Sequence, residues 1–182
     1  TINIHHNKAS NGGAIYNAYN SVTLPAGVNI YENTGDRGGA IRNASVLIIA
    51  GANIYKNSAT ALGGGIYSEG TLTMNSGSVY ENTNRGGIYI NANTFNLNGG
   101  NIYSNVNASS GGGVQINANA TFNMKGGNIY SNSCTNSGAD GGGVTVNGTF
   151  NMSGGNIYKN IAKDSGGGVV VQAGATMNFT GG

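Results

Sequence analysis

Ile102-Tyr-Ser-Asn105, closed by Gly111-Gly-Gly-Val114, and Ile129-Tyr-Ser-Asn132, closed by Gly141-Gly-Gly-Val144, are two copies of one phrase. Its first half occurs seven times, the other copies being Ile4-His-His-Asn7, Ile30-Tyr-Glu-Asn33, Ile54-Tyr-Lys-Asn57, Val79-Tyr-Glu-Asn82 and Ile157-Tyr-Lys-Asn160. The asparagines recur every 23 to 28 residues. A fixed period of that length, built from short alternating apolar segments punctuated by Gly and Asn, predicts a solenoid.

Aligning on the anchors gives three short strands per repeat. The first reads Leu72/Met74, Phe95/Leu97, Phe122/Met124, Phe150/Met152 and Met177/Phe179, with Thr and Asn between them facing out. The second carries the single anchor Ile or Val. The third follows the glycines as Ile88/Ile90, Val114/Ile116, Val144/Val146 and Val169/Val171. Alternation of period two puts each of these pairs on one face. A lone coil buries too little apolar surface to offset the entropy of ordering it, so neighbours must stack. The expectation is an all-β, right-handed parallel β-helix of about seven coils, residues 1–182 forming one repeat array within a longer chain or a head-to-tail fibre. At about 4.8 Å per coil the rod is about 34 Å long; right-handedness rests on the usual crossover preference together with the resemblance given below.

Asparagine ends every copy of the phrase, while the two residues before it vary over Tyr, His, Glu, Lys and Ser. Those residues are too polar for the core, so the chain turns there and Asn points inward. Asn7, Asn33, Asn57, Asn82, Asn105, Asn132 and Asn160 are therefore expected to form a ladder of amides bonded along the axis. The glycines allow left-handed backbone and close coil contact. Nearly all the length variation falls between Asn and Gly, three to eight residues, which marks one edge as a tolerant loop or, alternatively, a recognition surface.

Charged residues are 8% of the chain and the net charge is +2, so no basic stripe tracks a phosphate backbone and nucleic-acid binding is not expected. No apolar run is long enough for membrane insertion by this segment. Cys134 is expected to be an exposed thiol in the longest loop, Ser133 to Asp140, or alternatively an intermolecular bridge. Six Asn-x-Ser/Thr sequons are about as many as the composition produces by chance.

The phrase Ile-x-x-Asn, paired with Gly12-Gly-Ala-Ile15 and Gly38-Gly-Ala-Ile41, resembles the repeats of polymorphic outer membrane proteins and adhesin-like surface proteins. Those combine Gly-Gly-Ala-Ile/Leu/Val with Phe-x-x-Asn in a pectate-lyase-like right-handed β-helix. The resemblance implies an extracellular or cell-surface stalk or passenger with adhesive duties, and carries no active-site residue across.

Outward of the anchors stand His5, Tyr31, Tyr55, Tyr80, Tyr103, Tyr130 and Tyr158, an aromatic stripe suited to stabilising the sheet, to self-assembly or to stacking on glycan rings. Tyr16, Arg42, Tyr67 and Tyr89 form a second patch with cation–π support at Arg42. Glu32, Lys56 and Glu81 alternate in sign as an exposed ion ladder. Asp140 and Asp164 occupy comparable loop positions and are the one carboxylate pair on which a polysaccharide-degrading enzyme would have to rely. His5 and His6 lack further metal ligands. Thr71/Thr73, Thr94/Asn96, Thr121/Asn123, Thr149/Asn151 and Thr176/Asn178 form an outward grid resembling an ice-binding face. The sequence thus predicts a non-enzymatic structural or adhesive solenoid without metal or cofactor. Its expected partners are a second copy, the rest of a longer chain, or a glycan or cell-surface ligand.

Overall fold

Alternating apolar and polar residues can bury one face only if the next coil repeats the alternation in register, and the backbone does this throughout. The computed structural model describes residues 1–181, which contain no helix. They form a parallel β-solenoid of about seven turns, every pair of its strands running parallel. The anchors pair in one unbroken column: Ile4 with Ile30, Ile30 with Ile54, Ile54 with Val79, Val79 with Ile102, Ile102 with Ile129 and Ile129 with Ile157. The first and third strands stack likewise, as in Phe95–Phe122–Phe150 and Val114–Val144–Val169.

The core is a set of like-on-like columns. Phe95, Phe122 and Phe150 are fully buried and stack face to face with centroids 4.7 and 4.8 Å apart. That spacing is the coil repeat itself, so the backbone dictates the stack. Strands often run on through a bend: Val46–Tyr55 and Thr71–Tyr80 join the first and second strands of a coil, with register shifts where they bend.

Glycine closes the gaps that this stacking would otherwise fill. A Cβ at Gly39 would lie 2.1 Å from the Gly64 carbonyl oxygen one coil on. One at Gly113 would lie 2.9 Å from Asn132 Nδ2, so the glycine triplet also makes room for the ladder amide.

The edge read as loop contains further pairing. Lys8–Asn11, Thr34–Arg37 and Ser58–Leu62 form a three-stranded parallel side sheet. In later coils Val106–Asn107 pairs with Ser133–Cys134. Three strands per coil is therefore the minimum, and several coils have a short fourth.

Candidate functional site: the corner and its stacked aromatic face

Each Ile-Tyr-x-Asn corner puts Ile inward, Tyr outward and the third residue in the left-handed region. That residue is His6, Glu32, Lys56, Glu81, Ser104, Ser131 or Lys159, all with φ between 53 and 57°. None is glycine, so every corner carries a conformation that L-residues avoid. The strained residue reverses the alternation, which is why Asn can follow Tyr by two positions and still point inward.

The asparagine then fastens the corner. Asn57 Nδ2 donates to Ile30 O in the coil before at 3.0 Å, to Tyr55 O in its own corner at 2.9 Å and to Asn82 Oδ1 in the coil after at 3.0 Å. Its Oδ1 accepts from the Asn33 backbone N–H and from Asn33 Nδ2, both at 3.0 Å. One side chain thus joins three coils. The rungs Asn7–Asn33, Asn82–Asn105, Asn105–Asn132 and Asn132–Asn160 repeat this with Nδ2 to Oδ1 distances of 2.9 to 3.0 Å. Its orientation is forced, because a flipped amide would set N–H against N–H and oxygen against carbonyl. From Asn33 to Asn132 the ladder residues are at most 1% exposed. All seven expected asparagines are brought together, in six rungs.

A second inward ladder was missed by reading only the apolar members of the third strand. Asn17 Nδ2 donates to Asn43 Oδ1 at 2.8 Å, and Asn43 Nδ2 donates to Ser68 Oγ at 3.0 Å. Ser68 turns its proton to Gly70 O, 2.9 Å away, and its next partner in register is Ile90. The hydroxyl ends the ladder without leaving a donor aimed at the apolar column. Parity was the available signal: Asn17 follows Ile15 as Ile90 follows Ile88.

On the outer side of the corner the aromatic stripe is a continuous stack. From His5 through Tyr158, successive ring centroids are 4.8 to 5.0 Å apart and ring planes lie within 2 to 12° of parallel. Burial first, then the neighbouring phenols Tyr103 and Tyr55, pushes the Tyr80 hydroxyl up to about 12. Tyr55, Tyr103 and Tyr130 move in the same direction, again mainly through burial. Stacking covers both faces of every interior ring, so edges and hydroxyls are what a ligand would meet. Two residues before each tyrosine runs an outward Asn row. Asn29 donates to Asn3, Asn53 to Asn29, Asn128 to Asn101 and Asn156 to Asn128, at 3.0 to 3.1 Å, with Ser78 interrupting it. These outward amides donate toward the earlier coil, opposite to the buried ladder.

The second patch is confined to the early coils. Arg42 lies 5.0 Å from the Tyr16 ring centroid and 5.9 Å from that of Tyr67, and Tyr67 stacks on Tyr89 at 5.7 Å. Its Nε and Nη2 both donate to Glu69 Oε2, at 3.0 and 2.8 Å, a partner the sequence reading did not supply.

Three expectations change. Cys134 is buried, 3% exposed, because it pairs with buried Asn107 beneath the edge; its thiol donates to Asp140 O and Gly141 O at 3.5 and 3.6 Å. Burial pushes that thiol up to about 11, and a bridge to another chain would require this edge to open. The ion ladder does not form: Lys56 lies within 4.0 Å of neither Glu32 nor Glu81, and Glu32 instead meets His6 Nε2 at 3.0 Å. The left-handed corner splays these side chains into solvent. The variable edge, finally, is partly strand.

Asp140 and Asp164 do lie in adjacent coils. The Asp140 carboxylate accepts from Ser165 N–H at 3.0 Å and Gln172 Nε2 at 3.4 Å, bracing the following coil. The Thr and Asn grid is present, its Asn96, Asn123, Asn151 and Asn178 joined by amide bonds of 2.9 to 3.0 Å. Among the described residues no three His, Cys, Asp or Glu side chains gather as a metal site. No protein-family model matches the chain, and neither a curated protein nor a solved structure matches it.

Proposed function

We propose that this chain is a non-enzymatic mechanical element, a surface stalk or fibre subunit acting outside the cell, whose coils continue end to end. The observation that carries the reading is the unbroken ladder, buried from Asn33 to Asn132, in which each interior amide ties three successive coils. Loading along the rod is shared by that spine and by the backbone bonds beside it.

The same chemistry defines how a further coil would join, from a longer chain or a second copy. Asn7 Oδ1 faces one edge as an acceptor, while Asn160, whose Oδ1 accepts from Asn132 and whose Nδ2 donates back to Ile129 O, leaves its N–H and the second Nδ2 hydrogen for the other. A parallel coil bearing the same phrase would extend the ladder with matched donors and acceptors; an inverted coil would set like against like. Placement outside the cell rests on the likeness of the Gly-Gly-Ala-Ile phrase to surface-protein repeats. Glycan stacking on the tyrosines has less support, because interior rings already use both faces.

Negative-stain electron micrographs across a concentration series test the proposal. Rods that lengthen in steps of one molecule support it. A strictly monomeric stub at all concentrations would remove the fibre version, and turnover of a polysaccharide that disappears in Asp140→Asn would remove the non-enzymatic one.

A further inference from the structure

The aromatic stack leaves a surface whose chemistry the mechanical role does not use. Rows two residues apart on one strand face are roughly 6.5–7 Å apart, so the stacked rings and the outward Asn row form two parallel walls. Along Tyr31, Tyr55, Tyr80, Tyr103 and Tyr130 the wall of ring edges is continuous over about 19 Å at the coil spacing. The opposite wall is Asn29, Asn53, Ser78, Asn101 and Asn128, lowest at Ser78 beside the central ring.

We propose that this channel binds elongated, planar aromatic cations lying lengthwise along the rod. Three observations select that occupant. Every interior ring has both faces covered by neighbours 4.8 to 5.0 Å away, so a guest cannot intercalate but can run along the edges. The walls repeat without interruption of the rings, so only a rigid molecule spanning several coils gains contact at each one; a compact ring would touch one or two. Charge beside the central coils is two carboxylates against one ammonium, Lys56: Glu32, which meets His6 Nε2, and Glu81, which is in no ion pair among the described residues. That imbalance favours a cation over an anion of equal shape, modestly, because exposed charges are screened.

The inference is independent of assembly and concerns single rods. Thioflavin T, an elongated cationic aromatic whose two ring systems fluoresce strongly only when held coplanar, is the probe, titrated into the whole chain while sedimentation verifies that the protein is not aggregated. A saturable rise in fluorescence in the unsedimented fraction is expected. Tyr80→Ala weakens binding about tenfold by removing the central ring edge and interrupting the wall. Ser78→Asn keeps every tyrosine and adds a rung to the Asn row, so it guards against a folding defect; it narrows the channel and also weakens binding. Glu81→Lys weakens the cationic probe but leaves a neutral planar dye of the same length unaffected. Thr121→Ala, on another face, changes nothing. No rise with folded protein, a rise confined to pelleted material, or a rise undiminished in both Tyr80→Ala and Ser78→Asn would overturn the proposal.

Discussion

Each coil turns at two contrasting places. The Ile-Tyr-x-Asn corner has one length and one backbone shape in all seven copies, whereas the edge between Asn and Gly spans three to eight residues. At the corner a single amide holds three coils, so its position is fixed by neighbours above and below. At the edge the backbone pairs between coils, but the Asn107 side chain is satisfied locally, by Ser109, Ser110 and Gly111 of its own turn. Invariance tracks how many coils a group must satisfy at once, and burial alone does not explain it, since Asn107 and Asn105 are both buried.

The strongest way to break this contrast is to change the corner's length. Inserting one glycine between Ser104 and Asn105 moves Asn105 off the ladder and leaves the Asn82 N–H and Nδ2 without their buried acceptor. A one-residue slip also exchanges inward and outward faces beyond it. Loss of the cooperative transition in circular dichroism, with rapid proteolysis at the insertion, is expected. Native-like melting would show that the corner is not the register-setting element.

Next in size is the amide itself. Asn82→Leu strips the Asn57 N–H and Nδ2 of an acceptor and should destabilise by about 3 kcal/mol. Asn107→Leu should destabilise by about 1 kcal/mol, because its partners sit in a turn that can rotate toward water. Equal losses in urea denaturation would erase the distinction between the two sites.

The outer side of the corner gives a pH dependence. Tyr80 ionises near about 10 when unfolded and is pushed up to about 12 when folded. The folded state therefore favours the neutral phenol: its contribution is fully present below pH 10 and is lost as pH rises from 10 through 12. Thermal melts across that window should fall, and Tyr80→Phe should flatten the decline. An unchanged decline in the variant would place the alkaline sensitivity elsewhere.

At the edge, a Gly-Ser insertion after Ser137 should lower stability by less than about 1 kcal/mol, since lengthening a loop adds little closure entropy. A loss as large as that of Asn82→Leu would mean that the edge pairing, including buried Cys134, is as demanding as the corner.

Repetition made the fold readable. Seven copies of one phrase fix the inward columns, because parity must agree from coil to coil, and they fix the ladder, because the same amide recurs at the same place. Features carried by few copies were hidden for the same reason. Asn17, Asn43 and Ser68 replace apolar residues only in the early coils, so a pattern drawn from the regular second half passes over them. Glu69 reaches Arg42 from a neighbouring coil without any repeating signal. Cys134 lies in the longest variable segment, where composition says loop and only the pairing with Asn107 draws the thiol under cover. The alternation of Glu32, Lys56 and Glu81 was visible, but charge order alone does not report the left-handed corner that turns the side chains apart.

That left-handed residue supplies the finest test. A non-glycine residue there costs about 1–2 kcal/mol, whereas glycine brings an entropic cost of about 0.5–1 kcal/mol. Ser104→Gly should therefore raise stability by about 0.5 kcal/mol, because its N–H can still bond Tyr130 O and its side chain makes no hydrogen bond. The same change at Ser165, which follows no left-handed rule at the edge, should lower stability slightly through entropy alone. Opposite signs in matched chemical denaturation would show that the ladder holds each corner in a conformation its own residues resist. Two losses would mean that the corner residue is at ease, and that the asparagines need only align the coils rather than bend them.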